Sequence, residues 1–229
     1  MSEEIIIAID GPSGAGKSTL SKKIAHTLNY ANIDTGAMYR CIALASSRRG
    51  VDPTDNGEMA RLSRSIKISF IPSAHGESVL LDGEDVSNAI RTPEISLLTP
   101  KVAALPEVRV SLVELQREMG RAGGVVLEGR DIGTVVFPDA EVKIYLVATA
   151  EERGRRRYEE LIDKGESVDL AQTIAEVEQR DRIDSTRLHS PLIKAPDAIE
   201  IDTTGLTIDQ VHDRIIQVIQ SRTNLTRCH

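Results

Sequence analysis

Residues 9–20 read IDGPSGAGKSTL, three glycines, a proline and a lysine set between two apolar runs. The preceding Ile5–Ile9 has the unbroken apolar character of a strand covered on both faces. After the glycines, Leu20, Ile24, Ala25 and Leu28 recur at helical spacing. Gly11, Gly16, Lys17 and Ser18 satisfy G-x-x-x-x-G-K-[ST], in the strand-to-helix setting that this motif needs. Glycines let successive backbone N–H groups turn inward on an anion, where side chains would block its approach. The helix start adds partial positive charge, Lys17 adds a full one, and Ser18 offers a hydroxyl to Mg²⁺. The plain alternative is a glycine turn. With every motif position filled, the junction is expected to hold a nucleoside triphosphate.

Composition narrows the class. A chain of 229 residues can bury one sizeable core or two small ones. Hydrophobic residues make up 40% and charged ones 28%, which suits a soluble globular protein. No apolar run reaches the roughly 20 residues of a membrane span. Met1-Ser-Glu-Glu is acidic and leads straight into a strand, unlike a signal peptide. Two cysteines, Cys41 and Cys228, make no disulfide framework and point to a reducing cytoplasm. A formal charge of -7 argues against a general nucleic-acid binder, and 3% aromatics with no Trp argue against a single-strand stacking platform. Neither nucleic acid nor membrane is an expected partner, and the chain is expected to be a monomer.

Further strands are expected at Val125–Leu127, Val142–Val147 and Ile199–Ile201, with a weaker one from Asn29 to Asp34. Helical patterns fall near 17–28, 36–48, 107–121, 150–163, 169–183 and 207–221. Thr207 with Gln210, and Thr149 with Glu152, have the spacing of capping boxes. Strands alternating with helices predict a doubly wound α/β domain that binds ligands at the carboxyl ends of its strands. From Ile66 to Val86, alternation around Gly-containing turns predicts a small antiparallel meander inserted into that domain. The tail TNLTRCH after Arg222 is expected to fray.

Among phosphate-loop proteins, a GTPase would need N-K-x-D, which the chain lacks. Asp202-Thr-Thr-Gly205 fits D-x-x-G, but it lies late in the chain and reads as a strand end with a turn. A small kinase remains. Phosphoryl transfer is mostly positioning and charge neutralisation, so two phosphate-bearing substrates require several cations around one point. Candidates stand beside strand ends and helix starts: DTGAMYR (34–40), EGRDIG (128–133), Arg153 with Arg155, Arg156 and Arg157, and RDRIDSTR (180–187). Singly, each reads as a solvated face. Beside a phosphate loop, the set reads as a site.

These stretches, with IRTPE, VAALPEVR, GRDIGTVVFPDA followed by VKIYL, AEERGRRR and the terminal SPL of 180–192, occur in an order that resembles bacterial cytidylate kinases. GRDIGTVVFPDA together with the meander is the more specific part of the likeness. The resemblance implies a five-stranded parallel sheet flanked by helices, with a small antiparallel β insert and a helical lid. It divides one kinase domain, 1–229, into a core (about 1–35, 105–150 and 165–229), a monophosphate-binding insert (about 36–104) and a lid (about 150–165). It implies ATP-dependent phosphorylation of CMP and dCMP with Mg²⁺. Gly11, Pro12, Ser13, Gly14, Ala15, Gly16, Lys17, Ser18 and Thr19 would hold ATP, with Lys17 on its terminal phosphates and Ser18 toward the metal. Thr35 and Asp184 would hold the acceptor's sugar, Arg40, Arg130 and Arg187 its phosphate, and Arg180 both. Arg109 and Asp131 would read the base. Arg153, Arg156 and Arg157 would belong to the lid, Arg156 also serving ATP, and close over the transferring phosphate.

Three positions depart from the family pattern. Thr35 replaces a common Ser and keeps its hydroxyl. Glu128 replaces a common Asp, which could shift a water offered to Mg²⁺. Pro100 replaces a Ser near the base, with Thr99 adjacent; proline offers neither hydroxyl nor N–H. Because Arg153, Arg155, Arg156 and Arg157 repel one another, the lid is expected to order only with both nucleotides bound. Two other readings fit the loop: another small-molecule phosphate-loop kinase, or a nucleotide-dependent switch with little turnover.

Overall fold

A computed structural model describes residues 4–73, 76–163 and 165–223. The acidic start at Met1–Glu3, the Ala74-His75 turn, Lys164 at the end of the expected lid, and the tail 224–229 with Cys228 lie outside the described residues. In chain order the elements are β1 (Ile6–Asp10), α1 (Lys17–Leu28), β2 (Ala31–Asp34), α2 (Thr35–Arg49), α3 (Asn56–Ser65), β3 (Ile68–Ser73), β4 (Gly76–Leu81) and β5 (Glu84–Asp85). They continue with α4 (Pro93–Ala103), α5 (Pro106–Gly120), β6 (Val125–Gly129), β7 (Val142–Val147), α6 (Ala150–Asp163), α7 (Leu170–Thr186), β8 (Ile199–Asp202) and α8 (Ile208–Arg222). The chain forms two compact units, Met1–Asn32 with Ala122–His229, and Ile33–Arg121.

The first unit is built on a five-stranded parallel sheet in the order β2-β6-β1-β7-β8. Its apolar strands are covered on both faces, as continuous Ile/Val runs require. Ile7, Ile9, Leu20, Ile24, Leu146 and Ile215 are fully buried in one cluster that joins β1 and β7 to α1 and α8. Each such side chain contributes about 1.5–3 kcal/mol through burial. Register matters for the chemistry: Asp10 lies opposite Gly129 on one side and Tyr145 on the other. The loops after β1, β6 and β7 therefore leave the sheet side by side.

The second unit holds the expected meander, β3-β4-β5, antiparallel throughout. It also holds two helices that the sequence reading missed. In α3 the only large apolar residues are Met59 and Leu62, too few for a visible stripe, but the Asp55 side chain caps the helix by accepting from the Glu58 N–H. In α4 the prolines argue against a helix. Pro93 occupies the first turn, where its missing N–H costs nothing, and Pro100 lies within the helix.

Of the two expected capping boxes, Thr207–Gln210 forms in both directions. Thr149–Glu152 forms only half: the Thr149 hydroxyl accepts from the Glu152 N–H at 3.2 Å. The Glu152 carboxylate turns instead to Arg155 and Arg156, and the Thr149 N–H donates to the Thr204 hydroxyl. Two guanidiniums outbid one amide for a carboxylate.

Candidate active site

The phosphate loop leaves β1 through Gly11 at φ 149°, where a Cβ would stand 2.2 Å from the Leu146 carbonyl oxygen. Only glycine fits. Gly16 precedes α1 and offers no side chain to cap it, so the first amides of that helix keep their donors for the loop. Lys17 is buried, and its ammonium donates to the Pro12 carbonyl at 2.7 Å. Burial first, then the Arg130 guanidinium, pulls its pKa down to about 7, while Glu128 and Asp10 oppose the fall. Ser18 and Thr19 open the helix from exposed positions.

After β6, the segment 129–133 turns through Arg130 and Asp131 into a short π-helical turn, Ile132–Val136. Arg130 Nε donates to Asp184 Oδ2 at 2.8 Å, both side chains largely buried. Burial pushes the Asp184 carboxyl up, but Arg130, Arg180 and Arg187 together hold it below the usual carboxylate range. Arg187 Nη2 lies 3.8 Å from Asp131 Oδ1, and its Nε donates to the Ser190 carbonyl. Arg180 reaches both Lys17 and Asp184 with its charge. The EGRDIG and RDRIDSTR stretches, 54 residues apart in chain from Arg130 to Asp184, thus meet at one point beside Lys17.

The arginines of α6 have carboxylate partners that a count of the arginines alone does not show. Arg153 is buried; its Nη1 donates to the Ser13 carbonyl of the phosphate loop at 3.0 Å, its Nε to Ala148, and its Nη2 pairs with Asp181 at 2.6 Å. Arg155 pairs with Glu152 and Glu159, and Arg157 with Glu160. Arg156 pairs with Glu152 and donates to both the hydroxyl and the carbonyl of Thr203. Four carboxylates, Glu152, Glu159, Glu160 and Asp181, thus stand within reach of the four guanidiniums and offset part of their mutual repulsion.

In the second unit, Asp34 caps α2 by accepting from the Ala37 N–H at 2.8 Å, with Thr35 buried just inside the helix. Arg40 Nη1 donates to the Ile90 carbonyl and to the Ser96 hydroxyl, at 3.1 and 2.8 Å. Arg109 is buried with its guanidinium carbon 5.4 Å from the centre of the Tyr39 ring. Its Nη1 donates to the Ala103 carbonyl. Thr99 is buried and donates its hydroxyl to the Ile95 carbonyl at 2.6 Å, so it is already engaged within α4. The sequence reading also missed Asp10. Its one signal was a carboxylate closing an otherwise apolar buried strand.

Comparison with known proteins places the chain in a family. The family model for cytidylate kinase matches residues 7–221. The cytidylate kinase of Syntrophotalea carbinolica is 61% identical over 222 residues, covering 97% of this chain and 94% of that protein. That of Bacillus subtilis is 47% identical over 222 residues, covering 97% of this chain and 99% of that one. In fold, an uncharacterised protein from Eubacterium ventriosum superposes with a TM-score of 0.53 at 15% identity, covering 96% of this chain and all of that one.

Proposed function

The chain belongs to the cytidylate kinase family, and on that premise we propose how its residues pass the terminal phosphoryl group of ATP to CMP or dCMP. The enzyme is a nucleoside monophosphate kinase, and its products are ADP and CDP or dCDP. The observation that supports the residue assignment is the charge gathered at Lys17, where the arginines of two distant stretches converge.

An oxygen of the acceptor phosphate attacks the γ-phosphorus of ATP. A new P–O bond forms as the bond to the β,γ-bridging oxygen breaks, and ADP leaves with that electron pair. No protein nucleophile is needed. Gly11 to Thr19 cradle the donor phosphates, Arg156 serves the donor from α6, and Lys17 neutralises charge that grows on them. A lysine held down to about 7 by burial regains its proton beside a polyphosphate. Arg130, Arg187 and Arg40 take the acceptor phosphate, and Arg180 its phosphate and sugar. Thr35 and Asp184 take the sugar, with Asp184 also holding the Arg130 guanidinium in place. Arg109 and Asp131 read the base, while Arg153 and Arg157 belong to a lid over the transferring group.

For the metal, the described residues contain no cluster of three His, Cys, Asp or Glu side chains that could cage an ion. Ser18 offers one exposed hydroxyl at the start of α1. That donor set fits Mg²⁺, which keeps its waters and takes most remaining ligands from substrate phosphates. When bound it would draw charge off those phosphates. We further place the enzyme in the cytoplasm, as a monomer with nucleotides as its partners.

The test is ADP release with Mg-ATP and each common nucleoside monophosphate in turn. CMP and dCMP should drive turnover and yield the diphosphates. Slow ATP hydrolysis that no monophosphate accelerates would instead mark a switch module.

A further inference from the structure

Asp10 ends β1 immediately before the phosphate loop, yet its side chain serves a different loop. Oδ1 accepts from the Ile132 N–H at 2.8 Å and Oδ2 from the Gly133 N–H at 2.7 Å. Those are the first two amides of the turn that follows Asp131; the second, Gly133 N–H, is one that a residue at the head of a helical turn ordinarily caps with its own side chain. Asp131 occupies that head position, and its carboxylate makes no capping bond there. An aspartate so placed normally folds back on its own turn. Here Asp10 has taken the amides from across the sheet.

We infer that Asp10 is a positioning residue for acceptor recognition: by taking the Gly133 amide of the 132–136 turn from β1, it does the capping that Asp131 would otherwise do, so that the Asp131 carboxylate faces the base. Asp10 is 4% exposed, and burial sets both amides and both oxygens in fixed geometry. Each of its oxygens holds one of these amides, so Asp10 acts as a support for the turn. Arg187 Nη2 stands 3.8 Å from Asp131 Oδ1, while the Asp131 side chain makes no cap bond to its own turn. The inference rests on the reading of Asp131 as the group that meets the base.

The experiment compares kcat and KM for ATP, CMP and UMP in the parent, Asp10→Asn, Asp131→Asn and the double variant, with thermal melting to confirm folding. In Asp10→Asn an amide NH₂ faces one backbone N–H, so the cap fails and Asp131 turns back to take the Gly133 amide. The KM for CMP should rise on the order of tenfold, the effect of one lost charge-assisted hydrogen bond, and the CMP:UMP ratio of kcat/KM should narrow with it. The KM for ATP should stay within about threefold of the parent, which a general loosening of the sheet would not achieve. The double variant should discriminate no worse than Asp131→Asn alone, since both changes remove the same contact. If Asp131→Asn narrows the ratio while Asp10→Asn leaves it intact, or if the KM values for ATP and CMP rise together, Asp10 does not position Asp131. If Asp131→Asn alone leaves the ratio unchanged, the base reading fails and takes the inference with it. Asp10→Ser, which also removes the buried charge, answers the same question should the Asn variant not fold.

Discussion

Lys17 and Pro12 are joined across the phosphate loop, the ammonium donating to the carbonyl at 2.7 Å from a side chain that is 6% exposed. The loop therefore holds its own cation in place. The cost is a buried charge facing Arg130 and Arg180.

Replacing that cation should separate activity from stability. Lys17→Met should lower kcat by about a hundredfold or more, the usual loss when a contact made to transition-state charge is removed. The ligand-free variant should melt no lower than the parent at neutral pH, because the substitution relieves a desolvated charge. Turnover near normal would mean that Lys17 does not touch the transferring phosphates.

Asp10 makes the ligand-free protein sensitive to pH. Burial raises its pKa from the ordinary 3.8 to about 6, outweighing the two amide bonds; nearby Asp131 adds to the rise and Lys17 opposes it. Between those values the folded chain binds the extra proton, so this group's contribution to stability falls as pH rises through the window. Asp184 works in the opposite sense, its depressed pKa contributing stability that is lost in acid. Comparing Asp10→Asn with the parent isolates the first effect. The stability of the variant relative to the parent should increase by about 2–3 kcal/mol between pH 4 and pH 7, measured by urea unfolding. A difference that is flat with pH would contradict the buried-carboxylate assignment.

Asp184 holds Arg130, and Arg130 would lose its charge partner in Asp184→Ala. Breaking a mostly buried pair from one side costs about 3–5 kcal/mol, and the acceptor should bind more weakly with it. Denaturant unfolding and the KM for CMP should move together. An unchanged KM for CMP would remove Asp184 from the acceptor site.

Gly154 tests the packing under the arginine helix. A Cβ at this position would lie 2.4 Å from Ile174 Cγ1 and 2.8 Å from Ile174 Cα, where α6 rests on α7. Gly154→Ala should destabilise by about 1–3 kcal/mol through overpacking, more than offsetting the helix propensity that alanine gains. A melting temperature at or above that of the parent would show that α6 can lift away from α7 at little cost.

Much of this was legible from the chain. Continuous apolar runs identified β1, β6 and β7, because strands buried on both faces need no polar alternation to be seen, whereas β8, at the sheet edge, showed only as Ile199 and Ile201 about an exposed Glu200. The phosphate loop declared itself by spacing, and the arginine stretches only as a set beside strand ends and helix starts, their roles coming from the resemblance. What the sequence concealed were partnerships set by tertiary contact. Helix α4 was hidden by Pro100, whose local signal argues against helix while packing of Ile95 and Val102 supports one. The neutralised state of α6 was hidden because Arg153 meets Asp181 only when α7 folds against it. Asp10 was hidden for the same reason: its amides lie 122 and 123 residues away in the chain.

The most direct measurement of base recognition is kcat/KM for CMP, dCMP and UMP with the parent and with Asp131→Asn. Cytosine presents acceptors at O2 and N3 and an amino donor at position 4, a pattern that an arginine and a carboxylate complement. Uracil puts a donor at N3 and a carbonyl at position 4, facing both partners wrongly. Each mismatch with a buried charged group costs roughly 1.5–3 kcal/mol. With Pro100 lacking a hydroxyl and Thr99 engaged by Ile95, support for the base is thinner, which favours the lower half of the resulting range. CMP and dCMP should then exceed UMP by roughly a hundredfold to a thousandfold, and Asp131→Asn should narrow the gap. A parent enzyme that uses UMP as well as CMP would contradict base reading by Arg109 and Asp131.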